Sequence, residues 1–476
     1  MSVPRVCQGT PPGDPPRVSV AIVGAGACGL SAALFLKDAG VSALLIERDA
    51  HPMGSTALSS GFVPAALTAV QRATGVHDSV EQFAQDILDK SLGTAAPHLV
   101  QAYTQAIAPA LDALGERHGI PWELLQGFTY PGHSALRMHA VPERSGQGLM
   151  QRLLSATQMA GVDLLTQAQV TELWVDEHQR VTGVGVQRPG GQTEYILCQY
   201  LLLACNGFGG NPSMVTQWLP EMAHATYAGH VGNDGSAIAW GQALGARLAD
   251  LGGYQGHGSW AVPHGVLISW ALMMKGGIQL NAQGQRFHDE TCGYSEACVA
   301  VLAQPSGVVW NVIDEALLPL AQTFVDFRQA QSAGACKSAA DIQTLASLIG
   351  CDRNALQTSL DEVASCAQSG QPDAFGRRFQ RSLQAPFTAI RVTGALFHTQ
   401  GGLDIDAHCR VLNGQGHPLP NLLAAGGAAR GVSGSAVWGY LSGNGLLSAI
   451  AGGAIAARTI VQQLDAELSL IKGNPP

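Results

Sequence analysis

The stretch VSVAIVGAGACGLSAALFLKDAG, residues 18–40, decides the fold. Val18 to Val23 is an unbroken apolar run of strand length. Gly24, Gly26 and Gly29 follow in GxGxxG spacing, and small residues then predict a helix through Lys37. Glycines at these places permit a tight turn and let the backbone approach a pyrophosphate, which sits on the positive end of the helix. A second apolar strand, VSALLIERD, ends in Glu47 and Arg48. An acid about 20 residues past the loop is where a ribose is held. Strand, glycine turn, helix, strand and acid in this order predict an α/β dinucleotide-binding domain.

The next segment, HPMGSTALSSGF at 51–62, selects the dinucleotide. Ser55, Thr56, Ser59, Ser60 and Gly61 offer hydroxyls and amides to a second phosphate and a flavin ring. Far downstream, LPNLLAAGG at 419–427 is an apolar strand ending in Gly426 and Gly427, expected beside a ribityl chain. The expected cofactor is therefore FAD. MGSTALSSG contains no histidine for attachment, and His51 precedes it as a loop residue, so the FAD is expected to be noncovalent. GVGVQRPGG reads as a hairpin rather than a second nucleotide loop. Without a built-in nicotinamide site, the flavin needs an external electron acceptor: oxygen, a quinone or a carrier protein.

Composition bounds the rest. A chain of 476 residues, 46% hydrophobic and 13% charged, suits two packed units. A net charge of -9 without a basic run argues against nucleic acid or an anionic membrane. The ten cysteines show no CxxC or metal-ligand spacing, which fits free thiols in the cytoplasm and no metal. The N-terminal MSVPRVCQGTPPGDPPR has no apolar core for a signal, and its prolines predict a flexible tail over 1–16. GLLSAIAGGAIAARTI at 445–460 reads as a buried helix rather than a membrane span.

Eight collinear motifs carry a resemblance: GAGACG, ERDAHPMGSTALSSG, LLLACNGFGGNPSM, NDGSAIAWGQALGA, GGIQLNAQGQRFHDET, FHTQGGLDID, LPNLLAAGG and GNGLLSAI. With these the chain resembles the fumarate reductase and 3-ketosteroid dehydrogenase superfamily of flavoproteins. The resemblance implies an α/β fold: a Rossmann-like FAD-binding domain, split over 17–230 and 386–472, with an α+β cap (substrate) domain inserted at 231–385. It implies hydride transfer between flavin N5 and one carbon, with a proton moving at the neighbouring carbon beside a carbonyl. It adds Val170 and Gly207 to the cofactor contacts. The helix after the second glycine turn would present Asn444 and the amides of Gly445 and Leu446 to the flavin, its positive end favouring the reduced anion.

Two branches of the superfamily treat the carbonyl differently. The dicarboxylate branch uses arginines and histidine. Neither VVWNVIDEALLPLAQ nor GVSGSAVWGYLSGNGLLSAI contains an arginine, and only His398 fits that pattern. The ketosteroid branch uses tyrosines. DETCGY puts Tyr294 where the proton-abstracting tyrosine stands, and Tyr440 matches the carbonyl-binding one; a third has no match, with Tyr103 and Tyr130 as candidates. A phenol bonded to the carbonyl oxygen stabilises an enolate by roughly 3 kcal/mol. A second phenol, with an ordinary pKa of about 10, needs donors or positive charge to act as a base.

The resulting expectation is a desaturase that places a C=C bond alpha,beta to a cyclic ketone substrate. The alternative is a fumarate- or tricarballylate-type carboxylate reductase or dehydrogenase. Plainer roles stand beside each catalytic one: Tyr294 as a helix cap, Tyr440 as packing, His398 as support for its own turn, Glu290 as structure. Trp438, Trp270, Met273, Met274 and Phe62 are candidates for an apolar lining or for core. Arg137, His139 and Arg144 form a polar loop able to meet a carboxylate or only solvent.

Overall fold

The computed structural model describes residues 4–471. The chain forms two compact units. The first holds the residues up to Leu219, Gly229–Tyr254 and those from His398 on; the second holds Pro220–Ala228 and Gln255–Phe397.

The elements that build the first unit are β1 (Arg5–Gln8), β2 (Arg17–Val23), α1 (Ala27–Asp38), β3 (Ala43–Ile46), α2 (Pro97–His118), β4 (Asp163–Leu165), β5 (Gln169–Val175), β6 (Val181–Gln187), β7 (Thr193–Leu203), β8 (Arg410–Leu412), β9 (Pro418–Ala424) and α3 (Asn444–Ile471). The sheet runs β1-β5-β6-β7-β2-β3-β4, with β9 also on β7 and β8 on β9. β2 pairs in parallel with β3 and β7, and Val20, Ala21, Ile22 and Val23 are all buried. Burial on both faces explains why this strand reads as continuous apolar sequence rather than as alternation. β7 has two kinds of neighbour. Thr193–Leu197 pairs antiparallel with β6, whereas Leu201–Leu203 pairs in parallel with Leu422–Ala424 of β9. That late strand brings the C-terminal segment back to the first sheet.

α1 and α3 pack closely. A Cβ on Gly453 would lie 2.6 Å from the Cys28 carbonyl oxygen, so the small residues of α3 set the approach of the two helices. α3 is apolar and long enough to cross a membrane, yet 67% of its apolar window is buried inside the fold.

Two expectations are corrected here. The flexible tail expected over 1–16 contains a strand: β1 pairs in parallel with β5, Arg5 opposite Glu172, and the Thr182 hydroxyl donates to the Gly9 carbonyl at 2.9 Å. The prolines flank this strand rather than interrupt it, which leaves its amides free to pair. Residues 1–3 lie outside the described residues. The bounds of the inserted domain also differ: residues 231–254, read from the sequence as its start, belong to the first unit, whereas 220–228 and 386–397, read as FAD-binding domain, belong to the second. Arg48 donates to the Gly232 carbonyl at 2.7 Å and pairs with Asp234, and Arg430 pairs with Asp250 at 2.7 Å.

The second unit is built on a sheet ordered Val266–Leu267, Tyr254–Ala261, Phe387–Thr399, Val308–Asp314 and Ile278–Leu280. Leu280, Val312, Leu345, Leu356, Phe379 and Phe387 share its core. Helices Ile342–Ile349 and Arg353–Ser369 begin at Asp341 and Asp352, whose carboxylates accept first-turn amides, and end at left-handed Gly350 and Gly370. The sequence DIQTLASLIGCDRNALQTSLDEV thus carries its own start and stop signals.

Candidate active site

The front of the first unit is a cradle made by close backbone packing. Gly24 has φ +103°, and a Cβ there would lie 2.6 Å from the Ala204 carbonyl oxygen. A Cβ on Gly29 would lie 2.0 Å from the Gly24 carbonyl oxygen. Gly26 differs: the nearest atom to its added Cβ is Thr56 Oγ1 at 3.5 Å, and as the residue before α1 it brings no side chain of its own to the helix start. Glu47 Oε2 accepts the Ala25 amide at 2.8 Å, which fixes the acid at the turn.

The hydroxyls expected to face a phosphate mostly hold their own loop. Thr56 Oγ1 accepts the Ala27 amide at 3.0 Å. Ser59 Oγ donates to the Thr56 carbonyl at 2.7 Å and accepts the Gly61 amide at 3.1 Å. Ser55 Oγ accepts the side-chain amides of Asn206 and Asn233 at 3.1 and 2.8 Å. Ser60 is half-buried and Val170 is buried on β5. Gly207 and Gly427 are packed, their added Cβ atoms falling 2.1 Å from Thr399 Oγ1 and 2.0 Å from Asn206 Oδ1, and Gly426 has φ +60°.

At the N-terminus of α3 a polar cluster gathers. Tyr440 is 5% exposed and meets the edge of His398, with ring centroids 5.8 Å apart at 82°. His398 Nδ1 donates to the Thr399 carbonyl at 3.0 Å. Gln400 Nε2 lies 3.1 Å from His398 Nε2 and 3.3 Å from Nδ1. Ser433 Oγ donates to Gln400 Oε1 at 2.7 Å, and Asn444 Nδ2 donates to Ser433 Oγ at 3.0 Å. Asn444 Oδ1 and Ser448 Oγ are buried without a partner among the described residues. Gly445 brings backbone against His398, since a Cβ there would lie 2.4 Å from Nε2; Leu446 follows half-buried. Burial pushes His398 down to about 4, the Thr399 carbonyl only partly opposing it, so the imidazole is neutral at pH 7.

The arginines near this cluster are engaged elsewhere. Arg430 bonds Asp250 at 2.7 and 2.9 Å and Asp404 at 3.1 Å. Arg137, a candidate for a substrate carboxylate, is 1% exposed, chelates Asp78 at 2.7 Å through two nitrogens and also bonds Asp86. That network fixes the loop carrying His133, whose Nε2 donates to the Ser442 carbonyl at 3.0 Å just before α3. His139 is buried between Thr68 and the Arg137 carbonyl, and Arg144 faces solvent near Glu123. Trp438 is 47% exposed, so it is not a buried wall. Tyr103 lies in the core on α2, with its hydroxyl 3.5 Å from a Cβ built on Gly452, and Tyr130 packs edge-on to Phe128.

In the second unit Tyr294 opens helix Tyr294–Leu302 after Gly293, whose φ of +142° favours glycine. It is buried and stacked on His257, centroids 4.7 Å apart at 21°. His257 accepts the Ser259 amide at Nδ1 at 3.1 Å, which leaves its proton on Nε2, and burial pushes it down to about 3. Glu290 receives Arg286 Nη2 and Arg377 Nη1, both at 2.6 Å, and the Gln279 amide at 2.9 Å. Burial would raise its carboxyl, but Arg377 and Arg286 outweigh that and hold it at about 2. The Glu290 carbonyl also accepts Trp270 Nε1 at 2.9 Å. Glu290 therefore ties down the loop before Tyr294. Trp270 and Met273 are fully buried in this unit, and Met274 is half-buried.

His257, Gln400, Ser433 and His133 escaped the sequence reading. Only Gln400 and Ser433 lay inside quoted motifs, where a polar residue among glycines was the available signal.

The glycine-only backbone at Gly26, where an added Cβ would meet just Thr56 Oγ1, and the unpartnered Asn444 Oδ1 fit the phosphate and ring ends of FAD. Comparison with known proteins agrees. The model of the FAD binding domain family matches residues 19–446. An NADH:fumarate oxidoreductase of Klebsiella pneumoniae is 28% identical over 93% of this chain, which spans only 47% of that relative. The open form of a flavocytochrome c3 fumarate reductase superposes with TM-score 0.79 at 26% identity, covering 94% of this chain and 79% of that one. A 3-ketosteroid-delta4-(5alpha)-dehydrogenase from Rhodococcus jostii superposes with TM-score 0.72 at 23% identity, covering 94% and 97%.

Proposed function

The chain belongs to the FAD binding domain family and is an FAD-dependent oxidoreductase, and on that premise we propose that it desaturates a neutral ketone alpha,beta to the carbonyl, in a cyclic substrate. The observation that carries this reading is the neutrality of the cluster at the start of α3. Tyr440, His398, Gln400, Ser433 and Asn444 bear no charge at pH 7, and Arg430 is committed to Asp250 and Asp404. A carboxylate desolvated beside them would lack a guanidinium partner, at a cost of several kcal/mol. A ketone oxygen needs only a neutral donor.

When bound, FAD supplies the acceptor for the hydrogen that leaves the beta carbon with its electron pair. The chain's own residues handle the proton and the oxygen. Tyr440 donates its phenolic hydrogen to the carbonyl oxygen and stabilises the enolate. Tyr294 acts as the base that takes the alpha proton; the electrons of that C–H bond become the new C=C bond. His257, stacked on Tyr294, holds the ring's plane. An external acceptor, whether oxygen, a quinone or a carrier protein, then removes the two electrons.

The test is anaerobic. Tyr294→Phe is expected to keep FAD and to lose bleaching of the flavin by a cyclic ketone. Bleaching at the wild-type rate would remove Tyr294 as base. The similarity to a fumarate oxidoreductase supports a second reading, reduction or oxidation of an unsaturated carboxylate. A panel of cyclic ketones and dicarboxylates separates the two, because bleaching by dicarboxylates alone rejects the ketone.

A further inference from the structure

The hydrogen bonds at the start of α3 have a forced direction. The Thr399 carbonyl can only accept, so His398 Nδ1 carries the proton. His398 Nε2 is then the ring's lone pair, and of the two ring nitrogens near the Gln400 side-chain amide, at 3.1 and 3.3 Å, it is the one able to accept. Gln400 therefore turns its oxygen to Ser433, whose hydroxyl donates at 2.7 Å. Ser433 keeps a lone pair for the Asn444 side-chain amide at 3.0 Å. The Asn444 nitrogen is thereby committed to Ser433, and its oxygen is left fully buried and unpartnered among the described residues. Four side chains form one chain with a single polarity, and its loose end is an acceptor.

We propose that Gln400 is a positioning residue: it fixes His398 as the Nδ1-protonated tautomer and, through Ser433, presents Asn444 Oδ1 to a ring N–H of the bound flavin. The proposal rests on reading this face as the flavin side of the site. It changes the part given to His398. With its one proton on Nδ1 and bonded to the Thr399 carbonyl, this histidine has no N–H to offer a carboxylate or a carbonyl, and it acts as the anchor of the chain. Gln400 suits the position because its amide donates through one atom and accepts through another. Its backbone is tied to both Gly253 and Gly431, and glycine at 431 leaves room for Gln400 Oε1, from which an added Cβ would lie only 2.9 Å.

Two measurements on the full chain test this without a substrate. In 15N-histidine-labelled, FAD-loaded protein, two-bond 1H–15N correlation should show His398 protonated at Nδ1, its signals identified by their loss in His398→Asn. FAD titrated into the stripped protein should bind about fivefold more weakly to Gln400→Met and to Asn444→Leu, the equivalent of one lost hydrogen bond. The double variant should bind no more weakly than Asn444→Leu alone, because both cut one chain. Ser433→Ala breaks the same chain at its middle and should match Gln400→Met, which keeps the test open if that variant does not fold. His398 protonated at Nε2, or effects of Gln400→Met and Asn444→Leu that add in full, overturns the proposal. Since neither readout involves Tyr294 or any ketone, failure of the desaturase reading leaves these outcomes unaffected, and the converse holds.

Discussion

The chain fixes two tyrosines by opposite means. Before Tyr294, in the second unit, the holding device is ionic: Glu290 between Arg286 and Arg377, with Arg286 also on Asp373, no side chain of the four more than 7% exposed. Beside Tyr440, in the first unit, it is a chain of neutral hydrogen bonds from Asn444 to His398. A buried ion cluster must be complete, because one missing partner strands a charge. A neutral chain tolerates an open end, because an amide oxygen without a partner is a smaller penalty than a stranded ion. The unpartnered Asn444 oxygen is found in the neutral chain, where a cofactor can supply its partner. In the ionic cluster Arg377 Nε is also buried without a partner among the described residues, but the charges themselves are paired, Glu290 with Arg286 and Arg377.

The contrast can be broken at its strongest point first. Glu290→Ala should destabilise the chain by about 3–5 kcal/mol, since Arg286 and Arg377 lose their shared counter-ion; chemical denaturation reads this directly, and a loss under 1 kcal/mol would deny the clamp its role. Next in size is Tyr440→Phe. It should lower the rate of anaerobic flavin reduction by a ketone by about 100-fold or more while FAD stays bound, the cost of one lost oxyanion donor. Stopped-flow absorbance checks it, and an unchanged rate would leave Tyr440 as packing.

Acid sharpens the comparison further. His398 and His257 have folded values pushed down to about 4 and about 3 from 6.5, so the unfolded chain takes up protons first. Stability should therefore fall as pH drops from about 6.5 toward these values. Glu290 has its folded value lowered from 4.5 to about 2, so its contribution is complete above 4.5 and is lost as pH falls through about 2. Denaturation midpoints measured from pH 7 to pH 3 should drop in both windows, and Glu290→Gln should remove much of the second drop. The smallest effect expected is none. His398 is already neutral above about 4, so kcat/KM should show no break near 6.5 that His398→Asn removes. A break that does vanish in this variant assigns His398 an ordinary titration.

Much of the first unit was legible residue by residue. β2, the glycine turn, α1 and β3 lie where the apolar run, the GxGxxG spacing and the second strand put them. The two capped helices at 342–369 also carried their own signals. β1 was missed because four residues ahead of a proline-rich stretch carry too little pattern to outweigh it; only pairing with β5 makes them a strand. Residues 231–254 were assigned to the other unit because nothing local marks which partner a loop will take, and Arg48 and Arg430 decide it across nearly 200 positions. For the site, Tyr440 and Asn444 stood out in a glycine-rich stretch. Gln400 and His257 did not, since a lone glutamine or histidine in an apolar segment is most often ordinary core.

The sequence by itself determined the nucleotide fold, the FAD cofactor and the absence of arginine from residues 431–457, because each depends on local spacing or on residue type alone. Tertiary structure alone decided which hydrogen-bonding groups were already spoken for. Arg430, Arg137 and Glu290 are bound to partners far away in the chain, and the Thr399 carbonyl sets the direction of every bond out to Asn444. Donor and acceptor roles are fixed by which atoms meet, and no spacing in a linear chain records that.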